Sequence, residues 1–485
     1  MKPVEKIAVI DIGSNSCRMV IYERSGAALI PHFNEKTMAG LGRDLSETGR
    51  LSPSGQELAI KTFHRFRAIT ASLDIKDIRA VATAAVREAD DGPEFRARAE
   101  KILGVPIKVL SGADEGQMSA IGVRAGFINP KGLIADLGGT SMEIRPVEGS
   151  EKGESFLLGP LARAGDAELP FSKRLKIMDK VLSNSRFKDA GSGSTLFAVG
   201  GAWRNVAAVH MMLRNYPLRV AHGYKMKLAD VEDVIEAADL SHSDKLTREQ
   251  LVGVSKRRND TLPHAALLLK ALMRTVDAKK VVISSFGLRD GVAAEGLKAD
   301  GSAALLDAVP LFLRASPQAQ TFGSELYSFI HPIADYFEQN ETLLRAICMM
   351  ADAGARMHPD HRAQLVFEQV LRAPLPSLDH NQRLFAAYAT ASRYTFKYSE
   401  DPHYARLLGM GEKRKAKVLG TAMRLGSVYS GRSGPILATS NIAIEDKTLV
   451  MRVDRAYGDL VSGTVERRLG QLAGLLQLHP RMLIE

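Results

Sequence analysis

The chain has 485 residues, of which 25% are charged and 45% hydrophobic, a globular composition that excludes disorder and, at roughly 100–200 residues per domain, predicts about three domains. Lysine and arginine number 65 against 55 acidic residues; the net charge of +10 is modest and spread along the chain, favouring an anionic ligand without implying nucleic acid. Only Cys17 and Cys348 are cysteines, which excludes a disulfide scaffold and a four-cysteine zinc site; with no apolar signal-like segment and no membrane-length apolar run, the expectation is a soluble cytoplasmic protein.

Strand and helix signals alternate at first. Ile7–Ile10 and Cys17–Tyr22 are short apolar runs on either side of the turn-like segment DIGSNS and read as a hairpin. Helical spacing follows in Ser54–Ser72, where Leu58, Ile60, Phe63, Phe66 and Ile69 recur at three- and four-residue steps. Ile78–Ala82 reads as a strand, Asp91–Leu103 as a helix and Ile107–Leu110 as a strand. This alternation predicts an α/β domain with a mixed sheet.

The pattern then repeats. Ile7–Ser16 (IAVIDIGSNS) and Gly132–Ser141 (GLIADLGGTS) are both mostly apolar runs leading into D-x-G-x-x-S, and each is followed by another strand-like run. Matched hairpins at domain-length separation predict two α/β lobes on one plan, facing each other across a cleft. From about Asp300 the texture turns helical: Leu305–Leu313, Glu325–Phe337, Thr342–Ala355, Ala363–Leu371, Asn381–Tyr394 and Lys413–Leu425. Strand character returns in Pro435–Val453 around the turn Glu445–Lys447, and the Gly/Ser-rich stretch Ser427–Pro435 reads as a boundary. The expected division is 1–120 and 121–299 for the two lobes, 300–430 for a helical domain and 431–485 for a small α/β tail.

The chemistry-bearing residues cluster in the lobes. A glycine-rich turn after a buried strand lets backbone N–H groups approach phosphate oxygens. Gly13, Ser14, Asn15 and Ser16 offer this in one hairpin; Gly138, Gly139, Thr140 and Ser141 offer it in the other. Asp11 and Asp136 stand at the strand ends, where a carboxylate facing phosphates requires a divalent cation between them; the bland alternative is two ordinary turns. Arg87 follows an apolar strand and suits a bidentate phosphate clamp, or is an exposed helix-start arginine. Glu115 lies beside Asp114 just past a strand end, where neighbouring carboxylates raise one pKa and favour a general base, or where two acids complement a helix dipole. Lys413, Arg414, Lys415 and Lys417 form the densest basic run, a solvated helix face or a guide for a polyanion. No Walker A pattern, G-x-S-x-G elbow or G-x-G-x-x-G follows a strand.

Six segments in order, AVIDIGSNSCRMVI, AVATAAVREA, VLSGADEGQMSAIGV, GLIADLGGTSMEI, FAVGGAWRNVAA and SSFGLRDGV, resemble the bacterial exopolyphosphatase/guanosine pentaphosphate phosphohydrolase family over about residues 5–297. The resemblance implies two actin-like ATPase (ribonuclease H-like) lobes, followed in long members by a helical HD-like domain and a small tail. It implies that Glu115 is the general base. Asp136 and Glu143, with Asp11, would serve a catalytic Mg²⁺ or another divalent cation, and Ser14–Ser16, Arg87 and Gly138–Ser141 would hold phosphate.

This chain departs from the family's pattern in places. Thr140 replaces a third glycine and Met142 a threonine, while Trp203 and Arg204 make a bulkier floor. The His-Asp pair of the HD-like domain reads Ala351-Asp352, so no independent metal site is expected there. The expected activity is an exopolyphosphatase releasing orthophosphate from inorganic polyphosphate, in a homodimer that binds neither nucleic acid nor membrane. The alternatives are hydrolysis of guanosine pentaphosphate to the tetraphosphate, in the stringent response, or a non-catalytic nucleotide sensor. The helical extension favours long polyphosphate, with Lys413, Arg414, Lys415 and Lys417 as a tether.

Overall fold

A computed structural model describes residues 3–149, 151–239, 261–297, 301–398 and 402–485. The chain divides into two compact units, residues 3–304 and 305–485.

The first unit is built on two sheets. In the first, β1 (Glu5–Ile12) lies at the centre, flanked by β2 (Cys17–Ser25) and β3 (Ala28–Thr37) on one side and by β4 (Asp77–Ala82) and β5 (Ile107–Val109) on the other, in the order β3-β2-β1-β4-β5. β1 runs antiparallel to β2 and parallel to β4. The second sheet repeats this arrangement. β6 (Gly132–Leu137) is central, with β7 (Met142–Pro146) and β8 (Glu154–Phe156) antiparallel on one side. On its other side stand the parallel strands β9 (Thr195–Val199) and β11 (Lys280–Ile283), and β10 (Lys225–Met226) adds an edge. The repeat read from the two D-x-G-x-x-S segments is thus a structural duplication.

β1 shows why its sequence is continuously apolar rather than alternating: both faces are covered. Ala8, Ile10 and Ile12 pack under the helices Pro53–Ser72 and Gly92–Leu103 with Phe63, Phe66 and Phe95. Ile7 and Val9 face the opposite way, onto Met118 and Ala125 of the helix Gly112–Gly126 and Val292–Ala294 of the helix Leu288–Ala294. The helix Gly112–Gly126 also packs on the second sheet, through Ala120 and Val123 against Ile134, Phe197 and Val282. It is therefore common to both lobes, and the division expected at 120/121 falls inside it. Small residues make this crossing: a Cβ on Gly122 would sit 2.2 Å from the Gly287 carbonyl oxygen, and one on Gly291 1.7 Å from that of Met118.

In the second unit the sequence-expected helices appear with shifted ends. Glu325–Phe337 is two elements, a helix Pro317–Ile330 and a 3₁₀ segment His331–Phe337, because Pro332 cannot continue the α ladder. The expected boundary at Ser427–Pro435 is partly helix: Met410–Ser430 continues until Gly431, whose φ of 59° ends it in the left-handed conformation. Beyond a short turn Gly434–Leu437, a three-stranded sheet forms from β12 (Ser440–Glu445), β13 (Thr448–Val453) and β14 (His479–Ile484). The helix Gly463–Leu476 packs on Met410–Ser430, so sheet and helices share one unit. The boundary expected at 299/300 lies outside the described residues. No described helix is long and apolar enough to cross a membrane.

Candidate active site

The two hairpin turns face each other. In the first, the Gly13 N–H donates to the Ser16 carbonyl at 3.0 Å; in the second, the Gly138 N–H donates to the Ser141 carbonyl at 2.9 Å. The loops meet at Ser14 Oγ and Thr140 Oγ1, 3.2 Å apart. Thr140, the residue that departs from the glycine pattern, therefore spends its hydroxyl on the opposite loop. A cavity of about 230 Å³ opens beside this contact, lined among others by Asp11, Asn15, Ser16, Gly138 and Gly139.

Four carboxylates enter the cleft from four elements. Asp11 ends β1, and its Oδ2 accepts from Arg289 Nη1 at 2.7 Å. Asp136 ends β6 and accepts a short hydrogen bond from the Ser119 hydroxyl. Glu143 stands opposite Asp136 in the β6–β7 register, where Ser155 donates to its Oε1 at 2.9 Å. Glu115 comes from the first turn of the helix Gly112–Gly126.

That first turn separates two adjacent acids that sequence alone leaves equivalent. Asp114 forms a capping box with Ser111: its N–H donates to Ser111 Oγ, and its carboxylate accepts from the Ser111 N–H. The Ser111 hydroxyl also holds the Asp114 carboxyl below its ordinary range. Glu115, one residue on, turns inward and is only 7% exposed. Burial pushes its pKa up, and the charge of Glu143, then that of Asp136, pushes in the same direction against the opposing pull of Arg87. The raising charge is therefore not Asp114, as its adjacency suggests, but two carboxylates distant in sequence. Burial raises Glu143 and Asp136 as well, although serine hydroxyls hold both.

Arg87 does not itself line the cavity. Its Nη1 donates to Glu115 Oε1 at 2.7 Å and to the Leu110 carbonyl at 2.6 Å, and its Nε donates to Glu88 at 2.9 Å. The cations that do line it are Arg18, Lys36, Arg204 and Arg289. Sequence reasoning gave no role to three of these. Arg289 lay within the quoted SSFGLRDGV segment and was the legible one; Arg18 and Lys36 sit on β2 and β3 in no motif. Trp203 is no floor: it is fully buried in the second lobe's core, its indole N–H donating to the Ala265 carbonyl at 3.0 Å. Arg204 alone of that pair reaches the cavity.

Asp11, Asp136 and Glu143 do not gather three ligand atoms within 4.8 Å of one another. Among the described residues only His210, Asp230 and Asp233 do, and there Arg214 already stands 2.8 Å from Asp233 and 3.6 Å from Asp230, supplying the positive charge. The cleft carboxylates nevertheless suit a hard cation. All are oxygen donors brought into one cleft, and burial raises the proton affinity of Glu115, Asp136 and Glu143, each carboxylate charge adding to its neighbour's.

In the other unit, the basic run lies on the helix Met410–Ser430. Lys415 pairs with Glu338 at 2.7 Å and Glu412 at 3.0 Å. Arg414 donates to the Leu475 carbonyl, and the ammonium groups of Lys413 and Lys417 lie over the rings of Tyr388 and Phe396.

Residues 19–299 match the Ppx/GppA phosphatase family, and residues 327–481 match "Exopolyphosphatase, C-terminal". The chain is 26% identical over 320 residues to Exopolyphosphatase 1 of Mycobacterium tuberculosis, covering 61% of this chain and 90% of that protein. It is likewise 26% identical to Exopolyphosphatase 1 of Mycobacterium leprae over 316 residues, 61% of this chain and 92% of the other. Among solved structures it is similar to the Aquifex aeolicus Ppx/GppA family member (TM-score 0.53, 22% identity, 60% of this chain and 97% of that one). It is also similar to an exopolyphosphatase from Cytophaga hutchinsonii (TM-score 0.53, 20% identity, 61% and 100%). These structures share the two-lobed α/β fold.

Proposed function

For a chain that belongs to the Ppx/GppA phosphatase family, we propose that the cleft hydrolyses the terminal phosphoanhydride bond of inorganic polyphosphate, releasing orthophosphate. One observation carries this reading: Glu115, buried and with a raised proton affinity, stands with Asp136 and Glu143 in a cleft walled by two facing glycine turns. Phosphoryl transfer needs positioning and charge neutralisation more than covalent help, and these residues supply both.

The turns hold the terminal phosphoryl group. The Gly13 and Gly138 N–H groups close the turns themselves, while those of Asn15, Gly139 and Thr140 have no backbone acceptor among the described residues and remain for phosphate oxygens. Arg18, Lys36 and Arg204 neutralise the following phosphates. Glu115 orients a water and takes its proton as the water oxygen bonds to phosphorus and the bridging anhydride oxygen leaves with its electron pair. Arg87 fixes the carboxylate through its 2.7 Å contact. Asp136 and Glu143, with Asp11 once it exchanges Arg289, would hold Mg²⁺, which supplies neutralisation of the anhydride oxygens when bound. Lys413, Arg414, Lys415 and Lys417 would give a long chain a further contact.

The test is phosphate release from polyphosphate and from guanosine pentaphosphate, side by side with magnesium. Faster release from polyphosphate is expected. Preference for the nucleotide would reassign the substrate, and release from neither would leave a phosphorylated-nucleotide sensor.

A further inference from the structure

The unit 305–485 contains a second cavity, of about 350 Å³, walled by the segment Leu313–Ala319, by Met349–Arg356 and by Gly431 and Arg432. Its charge is one-sided. Arg314, Arg356 and Arg432 line it, and Asp352 is its only lining carboxylate.

That carboxylate is already taken. Arg393, a buried residue of the helix His380–Tyr394, places its Nη2 3.2 Å from Asp352 Oδ1, and Arg432 Nη1 stands 3.8 Å from Asp352 Oδ2. Two successive left-handed residues, Gly431 and Arg432, carry the chain past the end of Met410–Ser430 and bring the Arg432 side chain there. Asp352 therefore organises two guanidinium groups, those of Arg393 and Arg432. Arg356 is exposed and has no ion pair among the described residues.

Two further features accompany the cluster. Arg393 does not itself line the cavity, and its Nε is buried with no hydrogen-bond partner among the described residues. Ser316, Gln318 and Ala319, which also line the cavity, form the start of the 14-residue helix Pro317–Ile330; Pro317 has no N–H and Ser316 caps the Ala319 N–H at 3.2 Å, so the helix offers the Gln318 N–H and the positive end of its dipole. Burial lowers the pKa of Arg393, against the opposing pull of Tyr394 and Asp352, and the charges of Arg432 and Arg362 add to the lowering.

We propose that this cavity is a binding site for a small phosphorylated ligand, its phosphoryl group held by Arg356 and Arg432 over the Asp352–Arg393 pair. Guanidinium groups bind phosphate oxygens bidentately, and an arginine cluster organised by one shared acid keeps its forks in place before the ligand arrives. The volume exceeds what one phosphoryl group fills, so the ligand is an oligophosphate of a few units or a phosphate ester, with orthophosphate the weakest member of the series.

The test uses the full-length protein. Phenylglyoxal modification of Arg356 and Arg432 is mapped by mass spectrometry in the presence of orthophosphate, inorganic triphosphate or AMP, against sodium chloride at equal ionic strength. Protection of both arginines by triphosphate or AMP beyond that by chloride is expected, and the stronger of the two identifies the ligand as an oligophosphate or an ester. Arg356→Ala and Arg432→Ala are exposed-site substitutions outside the cleft, so they should leave phosphate release from short substrates unchanged. Each should weaken protection of the remaining arginine about tenfold, the value of one charge-assisted contact. Protection by none of the phosphates, or equal protection by chloride, overturns the proposal. So does protection that survives both substitutions at Arg393 and its neighbours.

Discussion

Arg87 Nη1 lies 2.7 Å from Glu115 Oε1, so two residues that sequence reasoning casts separately, as clamp and as base, act as one pair. The guanidinium lowers the proton affinity that burial and Glu143 raise. Arg87→Gln removes that opposing charge, and the base form of Glu115 should appear only at higher pH. The acid limb of the kcat/KM profile is expected to move upward in pH; an unmoved limb would show that Arg87 does not set the proton affinity of Glu115.

Glu115→Gln keeps size and hydrogen bonding but cannot accept a proton. Turnover should fall by about 10²–10⁴ with little change in KM. Near-normal turnover in the purified, folded variant would remove Glu115 from the base role.

Asp136→Asn and Glu143→Gln each delete one negative oxygen donor. Both should lower activity and raise the magnesium concentration needed for half-maximal rate. Full wild-type activity in EDTA would end the metal-assisted reading.

The same carboxyls link stability to pH. Burial raises the proton affinity of Glu115, Asp136 and Glu143 in the folded chain, so above the ordinary carboxylate range the folded state holds more protons than the unfolded state. Their contribution therefore falls as pH rises through that window. His210 and His264, whose pKa values burial depresses, act oppositely: the unfolded chain binds more protons, and stability rises with pH. Comparing wild type with Glu115→Gln isolates the carboxyl. In EDTA the variant's Tm should exceed that of wild type increasingly toward alkaline pH, and magnesium should narrow the gap. A gap that does not vary with pH would contradict this linkage.

Gly122→Ala tests the helix crossing. In an open helix the change is worth about 0.5–1 kcal/mol of stabilisation. At Gly122 the new Cβ would meet the Gly287 carbonyl at 2.2 Å, and overpacking of this kind costs typically about 1–3 kcal/mol. The Tm should drop, whereas Gly470→Ala, in a helix with nothing within 4 Å, should leave it level or raise it. A higher Tm for Gly122→Ala would show that the helices can move apart.

The duplicated lobes were legible because a strand covered on both faces and a glycine turn leave local marks, and two copies of those marks made a pattern. Glu115, Asp136 and Glu143 were legible through their motifs. What raises Glu115 was not, because its partners come from another lobe's hairpin and proximity in sequence pointed to Asp114 instead. Arg18 and Lys36 reach the cleft through β2–β3 register, which no local signal encodes. Trp203 was misplaced for a related reason: a residue next to a glycine turn looks like a site residue until the helix phase is known, and here that phase buries it. The helix ends near Pro332 and Gly431 depended on cap geometry, which composition alone blurs.

The return of Val292–Ala294 to the face of the first sheet has a consequence for synthesis. When residues 5–109 have left the ribosome, all five strands of that sheet are present, yet Ile7, Val9, Val20 and Leu29 still lack Val292–Ala294, part of their cover. Domains usually complete themselves in the order they are made. Here the first-made sheet must wait, partly uncovered, for nearly the whole of the second, and the nascent chain in that interval is the form most open to chaperones and proteases.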